Sequence, residues 1–254
     1  MTEVLLQVRN AHMRFGGVHS LRGVSINVHQ GRITGLIGPN GAGKTTLFNV
    51  ASGLLRLQEG SVHAFGQDVT RMAAHRRARL GIGRSFQNLG LLAGENIRVN
   101  TLASQFANAS YGPLGVQLPR RRERIEAGLW TEAQKALAEF DVCESPEALV
   151  GELSFGVARR VELAGLAARR PRLLLLDEPT TGLDTAETEI LKKFLRRQRE
   201  AGRGVLVVAH DVGFVLDMCD EVYVLAEGSV IFHGTPDEAR VDDDVVRSFL
   251  GKSA

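Results

Sequence analysis

The chain has 254 residues, of which 44% are hydrophobic and 24% are charged, a composition typical of a globular protein with a sizeable core. Its formal net charge of +2 argues against a dedicated nucleic-acid or polyanion binder. Two cysteines, Cys143 and Cys219, exclude a disulfide framework, and no run approaches the ~18 apolar residues of a membrane-spanning helix, so we expect no membrane crossing.

The N-terminal region is predicted to form strands. Residues 4–8 are mostly apolar, and in residues 24–28 apolar and polar side chains alternate with the period of a half-buried strand. Charged residues stand among the first apolar ones, at Glu3, Arg9 and Arg14, so the segment does not have the pattern of a secretion signal.

A glycine-rich loop follows the mostly apolar segment Ile33–Ile37, which is predicted to be a short buried strand. The loop comprises Gly38, Pro39, Asn40, Gly41, Ala42, Gly43, Lys44, Thr45 and Thr46. This is the G-x-x-x-x-G-K-[ST] pattern of a phosphate-binding P-loop. Its backbone N–H groups can face phosphate oxygens, Lys44 adds positive charge, and the Thr45 hydroxyl can ligate Mg²⁺. We therefore predict a nucleoside triphosphate site in preference to a structural glycine turn.

The elements after the loop alternate between helix and strand. The expected helix has one apolar face, formed by Leu47, Val50, Ala51 and Leu54. Residues 60–65 are predicted to be a strand, and an arginine-rich helix is expected to begin at Thr70 and to end at Gly81. A further strand, Ile82 to Phe86, should lead into Gln87.

A helical insertion is expected from about residue 88 to about residue 165. Apolar residues recur there at helical spacing between Ile125 and Phe140. The basic run of residues 120–124 is interrupted by Glu123, so we interpret it as a solvated helix start and not as a nucleic-acid patch.

One helix of this region is predicted to have an anion-binding start. Ser154 precedes the expected helix Val157 to Arg169 as its N-cap. A serine hydroxyl together with free helix N–H groups can bind an anion.

Two acidic residues and a histidine follow buried strands in the last third of the chain. Asp177 and Glu178 come directly after the apolar run of residues 173–176, and His210 follows the run of residues 205–209. Because ligands bind at the carboxyl edge of parallel sheets, Asp177 is a candidate for Mg²⁺ binding and Glu178 for the activation of water. The alternatives are a helix-capping acid pair and a partly buried strand-end histidine.

Six segments together resemble the motifs of the ABC transporter ATPases, in order and spacing over nearly the whole chain. They are Gly38–Thr46, Gln87, Leu153–Gly156, Leu173–Glu178, Gly182–Asp184 and His210. They correspond to the Walker A, Q-loop, signature, Walker B, D-loop and switch histidine motifs.

The resemblance implies the α/β fold of a P-loop NTPase, as a single ABC cassette over residues 1–254. Its RecA-like core would comprise about residues 1–87 and 166–254, with an antiparallel β portion near the N-terminus. A helical subdomain would occupy about residues 88–165.

The resemblance also implies a catalytic arrangement for ATP hydrolysis. Glu178 would be the general base, His210 would contact the γ-phosphate, and Lys44 would neutralise charge on the phosphates. Mg²⁺ would be bound by Thr45 and Asp177, with Gln87 sensing the ion and the attacking water.

Other residues would bind the nucleotide across a head-to-tail dimer of two cassettes. Ser154 and Gly156 of one cassette would touch the ATP held by the P-loop of the other, near Asp184 of the D-loop. Phe15 resembles the aromatic residue that stacks on adenine, although a simple core aromatic is the alternative. Val157 and Ala158 replace the glutamine that usually follows the signature glycine, which predicts weaker ribose or interface contacts.

Several stretches are similar to the ATPases of branched-chain amino acid importers. They are Met13–Val18, Ile82–Asn88, Gly234–Glu238, Asp244–Gly251 and the aromatic Phe155. The similarity implies the energy-coupling subunit of a bacterial importer, peripheral at the cytoplasmic face of the inner (plasma) membrane. Its partners would be transmembrane permease subunits, a second ATPase subunit in a homo- or heterodimer, and indirectly a periplasmic or extracellular solute-binding protein, with no nucleic acid.

Other functions remain open at this point. Related cassettes serve urea or amide importers and lipid or lipopolysaccharide exporters, and no residue of the chain is expected to touch the cargo. A soluble ABC ATPase in cofactor assembly is an alternative of another class. A nucleotide-binding regulator without turnover is disfavoured by Glu178 and His210.

Overall fold

The computed structural model describes residues 2–85, 89–105 and 119–250, without the side chains of 119–122 and 250. The strands of the described residues are β1 (Val4–Phe15), β2 (Val18–His29), β3 (Ile33–Ile37), β4 (Glu59–Ala64), β5 (Gln67–Asp68), β6 (Ile82–Arg84), β7 (Leu173–Asp177), β8 (Gly204–Val208), β9 (Glu221–Ala226) and β10 (Ser229–Gly234). The helices are α1 (Lys44–Ser52), α2 (Ala74–Leu80), α3 (Ile97–Gln105), α4 (Pro119–Glu139), α5 (Phe155–Ala168), α6 (Thr185–Glu200), α7 (Val212–Met218), α8 (Pro236–Val241) and α9 (Asp243–Leu250).

The chain divides into two compact units. The first comprises Met1–Arg84, Arg172–Thr180 and Leu195–Ala254, and the second comprises Ser85–Pro171 and Thr181–Phe194. The boundary at residues 194 and 195 falls inside α6, so this helix begins in the second unit and ends in the first.

The first unit contains two sheets. One is antiparallel, with the order β2-β1-β4-β5, and the other has the order β10-β9-β3-β8-β7-β6. In the second sheet the strands from β9 to β6 are parallel, and only the edge strand β10 is antiparallel to its neighbour. Every residue of β3, β7 and β8 is buried, as expected for parallel strands covered on both faces. The expected α/β fold is therefore confirmed.

The register of the parallel strands brings their carboxyl ends together. Leu36 of β3 and Asp177 of β7 both lie opposite Val208 of β8. The segments that follow these three strands consequently leave the sheet at one edge, where ligands of parallel sheets bind. The glycine-rich loop, the acid pair and His210 are these segments.

The helix after the glycine-rich loop is shorter than predicted. Leu47, Val50 and Ala51 are fully buried in the apolar cluster of the first unit, as expected. The helix ends at Ser52 because Gly53 adopts a left-handed φ of 81°. Leu54 therefore lies beyond the helix and is exposed, so its predicted place on the buried face is wrong.

Two other predicted boundaries differ from the observed ones. The first N-terminal strand extends to Phe15, and the second begins earlier than predicted, at Val18. Register shifts between the two strands interrupt the alternation on which the prediction relied. The arginine-rich helix begins at Ala74, because the side chain of Thr70 is bonded to the backbone of Val62 instead of starting a helix. The predicted strand end at Phe86 lies outside the described residues, which give β6 as Ile82–Arg84.

The second unit is helical in the residues that are described. It contains α3, α4 and α5 and the first part of α6. Ala133, Leu137 and Phe140 are buried, and the rings of Phe140 and Phe194 lie 4.8 Å apart between centroids. Among the described residues, we find no helix that combines the length and the apolar character needed to span a bilayer.

Candidate nucleotide-binding site

The glycine-rich loop joins β3 to α1 in a backbone conformation that only glycine adopts readily. Gly38, Gly41 and Gly43 have φ values of 152°, 80° and 102°. A Cβ on Gly43 would lie 2.4 Å from the carbonyl oxygen of Ser20, whereas a Cβ on Gly41 would meet no atom within 4 Å. Gly43 is the N-cap of α1 and, as a glycine, has no side chain that could cap the helix start. The first N–H groups of α1 are thus available to a phosphate.

Lys44 is the first residue of α1 and is buried against the loop. Its Nζ donates hydrogen bonds to the carbonyl oxygens of Gly38, at 2.8 Å, and Pro39, at 3.0 Å. Burial lowers the pKa of Lys44, and the negative charges of Glu178 and Asp177 act in the opposite direction. The ammonium group is therefore fixed against the loop by two backbone carbonyl groups.

Asp177 and Thr45 are oxygen donors of the kind that Mg²⁺ prefers. Asp177 is the last residue of β7 and is buried, while Thr45 is exposed in the first turn of α1. No group of three or more His, Cys, Asp or Glu side chains suited to a metal ion occurs in the described ranges. Mg²⁺ commonly takes one or two carboxylates together with substrate phosphates, so this donor set fits Mg²⁺ that arrives with a nucleotide.

Glu178 and His210 contact one another at the same sheet edge. Oε2 of Glu178 accepts a hydrogen bond from the backbone N–H of His210 at 3.0 Å, and Oε1 lies 3.3 Å from Nε2 of the imidazole. The backbone N–H of Glu178 donates to the carbonyl oxygen of Val208, and its φ is 48°, a conformation that costs a non-glycine residue about 1–2 kcal/mol. The carboxylate is thus oriented by the strand-end histidine.

The structure argues against the simpler interpretations, in which the acid pair only caps a helix and the histidine is only a structural residue. The helix that follows the pair, α6, is capped by Asp184 and not by Glu178. The His210 side chain is 57% exposed, which is unlike a buried structural histidine. Phe15 is 49% exposed at the end of β1, so it is not a core aromatic.

Ser20 is a neighbour of the loop that sequence reasoning missed. Its Oγ lies 2.7 Å from Oγ1 of Thr46, and its carbonyl oxygen faces Gly43. The turn between β9 and β10 also supports the loop, because the N–H of Gly228 donates to the carbonyl oxygen of Ala42. A serine in a strand carries no recognisable binding signal, and residues 18–20 were not predicted to be a strand.

Arg84 is a second residue that the sequence did not single out. Its guanidinium donates to the hydroxyl of Ser52 and stands 4.7 Å above the ring centroid of Phe48. Burial lowers the pKa of Arg84, and the charge of Asp177 opposes this shift. Arg84 thus adds positive charge close to the acidic strand end.

The predicted signature residues lie in the second unit. Ser154 is the N-cap of α5, and its Oγ accepts a hydrogen bond from the N–H of Val157 at 3.3 Å. The predicted N-cap is confirmed, although the helix begins at Phe155, two residues earlier than expected. Because a hydroxyl both accepts and donates, Ser154 can still donate to an anion at the helix start. Gly156 is buried and Ala158 packs on the inner face of α5.

Asp184 has a visible structural role at the start of α6. Its Oδ1 accepts from the N–H of Glu187 at 2.8 Å, and its own N–H donates to Oε2 of Glu187 at 3.0 Å. This reciprocal pair is a capping box. Gln87, which was predicted to sense Mg²⁺, lies outside the described residues.

Comparison with known proteins relates this geometry to a family. The family model described as ABC transporter matches residues 21–181, more than half of the chain. The high-affinity branched-chain amino acid transport ATP-binding protein BraF of Pseudomonas aeruginosa is 33% identical over 255 residues, covering 100% of both chains. The lipopolysaccharide export system ATP-binding protein LptB of Haemophilus influenzae is 34% identical, covering 90% of each chain.

A solved structure shows the same fold. The ADP conformation of MJ1267, an ATP-binding cassette of an ABC transporter, superposes with a TM-score of 0.84 at 28% identity and covers 99% of this chain and 100% of that one. The P-loop, the acidic strand end and His210 therefore lie on a cassette fold of known type. The chain belongs to the ABC transporter family, as an ATP-hydrolysing cassette.

Proposed function

We propose that the chain is the energy-coupling ATPase subunit of a bacterial importer for branched-chain or related amino acids. The similarity to BraF over the full length of both chains is the observation that supports this cargo. We propose further that it works as one cassette at the cytoplasmic face of the membrane, with the second unit as its helical subdomain. Its partners would be permease subunits, a second cassette and, indirectly, a solute-binding protein.

The contact between Glu178 and His210 supports the proposed hydrolysis step. Water would attack the γ-phosphate in line with the leaving oxygen, and the Glu178 carboxylate would accept its proton. His210 would orient the carboxylate and contact the γ-phosphate. Lys44 and the N–H groups of the loop would stabilise the charge on the phosphate oxygens. Phe15 would stack its exposed ring on adenine.

Mg²⁺ is part of this proposal because hydroxyl and carboxylate oxygens stand beside the loop. Thr45 and Asp177 would hold the ion, Gln87 would sense it, and the ion would neutralise charge on the phosphates. In the same proposal Ser154 and Gly156 act on the ATP of a second cassette, because a helix start with a serine hydroxyl suits the γ-phosphate.

The substitution Glu178→Gln tests the hydrolysis step. It removes the proton acceptor and preserves the shape, so hydrolysis should fall by about 100-fold or more while ATP binding persists. Glu189→Gln, a change on the exposed side of α6, is the matched control and should hydrolyse ATP like the wild type. Undiminished hydrolysis in the Glu178→Gln protein would exclude Glu178 as the general base.

Transport assays in the host separate the two candidate cargoes. A strain lacking the chain should lose uptake of labelled leucine, and the wild-type chain but not the Glu178→Gln variant should restore it. The similarity to LptB supports lipopolysaccharide export as the second candidate. Normal leucine uptake with less lipopolysaccharide at the cell surface would favour that candidate. Recovery of only soluble partners from detergent-solubilised membranes would overturn both.

A further inference from the structure

The signature segment, Leu153–Gly156, and the D-loop, Gly182–Asp184, belong to the same compact unit. They are separated by β7 in the sequence, and two independent contacts join them in the structure. One contact is apolar and the other is ionic. Together they show that the start of α5 packs against the D-loop and the start of α6.

The apolar contact is between Phe155 and Gly182. A Cβ on Gly182 would lie 2.3 Å from both Cδ1 and Cε1 of the Phe155 ring, and Gly182 has a φ of 77°. A side chain at residue 182 would therefore displace the ring as well as strain the backbone. Phe155 nevertheless stays half exposed, so it covers the D-loop without being part of the core.

The ionic contact is made by Glu187. Its Oε1 lies 3.3 Å from Nε of Arg160 on α5, and its Oε2 accepts the N–H of Asp184. The same carboxylate faces the signature glycine, because a Cβ on Gly156 would lie 2.5 Å from both of its oxygens. Glu187 thus touches the D-loop and the signature helix at once.

Arg160 is itself fixed in place. Its NH1 group donates to the carbonyl oxygens of Phe140, at 3.0 Å, and Asp141, at 2.6 Å, just after α4. The side chains of Arg160 and Glu187 are only 12% and 17% exposed, so solvent screens this pair less than a surface pair. The guanidinium is therefore a fixed positive charge beside the Glu187 carboxylate, and the two form an ion pair in which Nε makes no hydrogen bond.

From these contacts we infer that Glu187 is a positioning residue for ATP hydrolysis: it locks Asp184 of the D-loop to the signature helix. This inference rests on the proposed function, in which the signature and the D-loop both serve the closed nucleotide site. With the lock in place, a movement of α5 carries Asp184 with it. Without it, Ser154 and Asp184 must be ordered separately, which lowers the population of the competent arrangement.

The simpler interpretation is that Glu187 only caps α6, and Glu187→Gln separates the two roles. Glutamine at the third helical position maintains a capping box but does not carry the charge that pairs with Arg160. We expect the Gln variant to hydrolyse saturating ATP about fivefold to twentyfold more slowly than the wild type. The stoichiometry and affinity of ATP binding should be unchanged, because the P-loop is untouched.

The full chain is assayed with Mg²⁺-ATP for hydrolysis, and ATP binding is titrated with a fluorescent ATP analogue. Glu189→Gln on the same helix is the control, and Glu178→Gln reports on the proposed function by itself. If Glu178→Gln abolishes hydrolysis and Glu187→Gln matches the wild type, the inference is overturned and the proposed function stands. Rate and binding stoichiometry that fall in proportion would mean a merely structural role, and would also overturn it.

A double-mutant cycle with Arg160→Gln keeps the test decisive if one variant is poorly stable. Positioning through the pair predicts that the double variant loses no more than about twofold beyond the worse single variant. Losses in hydrolysis rate per bound ATP that multiply fully would show that the two residues act independently, against the inference.

Discussion

The hydroxyl of Ser20 lies 2.7 Å from that of Thr46, which lies in the first turn of α1 directly after the glycine-rich loop. In the proposed site, the loop hydroxyls and N–H groups contact the phosphates, so Ser20 orients one of these donors from a neighbouring strand. Ser20→Ala should therefore weaken ATP and ADP binding equally, by about twofold to tenfold, which is the net value of one hydrogen bond. The rate at saturating ATP should stay close to that of the wild type.

Ser25→Ala, on the same strand, is the matched control. It also removes a serine hydroxyl that accepts a hydrogen bond, here from the exposed N–H of Asn10, but Ser25 lies far along the strand from the loop. Titration of both nucleotides with both variants checks the prediction. Equal affinities for the two variants would mean that the contact between Ser20 and Thr46 does not serve the nucleotide.

Residue-level chemistry was predictable from the sequence where the backbone itself carries the pattern. The glycine spacing of the loop and the acid pair after an apolar run identified Lys44, Asp177 and Glu178 as neighbours, because parallel strands end at one edge. Ser20 and Glu187 were not predictable in this way. Their roles depend on which segments pack beside them in the folded chain. Neither serine nor glutamate has a sequence spacing that predicts a contact of this kind.

At the scale of elements, Arg77 connects α2 to the end of the P-loop helix. Its NH1 donates to the carbonyl oxygens of Val50 and Ala51, each at 2.8 Å, and the side chain is 2% exposed. Burial lowers the pKa of Arg77 to about 10, so the guanidinium remains charged at neutral pH. It adds a charged donor to carbonyl groups of the last helical turn, of which that of Val50 also accepts a hydrogen bond from the N–H of Gly53 at 3.2 Å.

Arg77→Ala should lower the free energy of unfolding by about 2–4 kcal/mol, because buried carbonyl groups lose a charged donor. Arg76→Ala, on the exposed side of the same helix, should change it by no more than about 0.5 kcal/mol. Urea denaturation of both variants measures the difference. Similar midpoints would show that water replaces the guanidinium at the end of α1.

Some boundaries of helices and strands could be predicted from the sequence pattern and others could not. The strand Ile33–Ile37 was predicted with its observed bounds, because a short, mostly apolar segment directly before a glycine-rich loop is typical of a buried strand. The start of α2 was predicted wrongly because threonine is common at helix starts. Here the Thr70 hydroxyl instead accepts a hydrogen bond from the backbone N–H of Val62 in β4. Nothing in the sequence distinguishes Arg77 from the other arginines of its helix, and only the packing against α1 shows that it is buried.

At the scale of the whole molecule, the P-loop belongs to the first unit and the signature serine to the second. The proposed function assigns them to different ATP molecules in a head-to-tail dimer. A chain that binds ATP without hydrolysing it should then accumulate as that dimer. The Glu178→Gln variant is such a chain, because it retains Lys44 and Ser154.

We expect Glu178→Gln with Mg²⁺-ATP to elute as a dimer in size-exclusion chromatography coupled to light scattering, and as a monomer with ADP. Chelation of Mg²⁺ with EDTA should abolish the dimer, because the phosphate charges would be left without their counter-ion.

Lys44→Ala in the same background should stay monomeric because it loses the charge that binds the phosphates. Ser154→Arg should bind ATP but not dimerise, because a bulky side chain would occupy the start of α5. A monomer at every protein concentration with ATP bound would contradict self-association of this cassette and would direct the search to a second, different ATPase subunit.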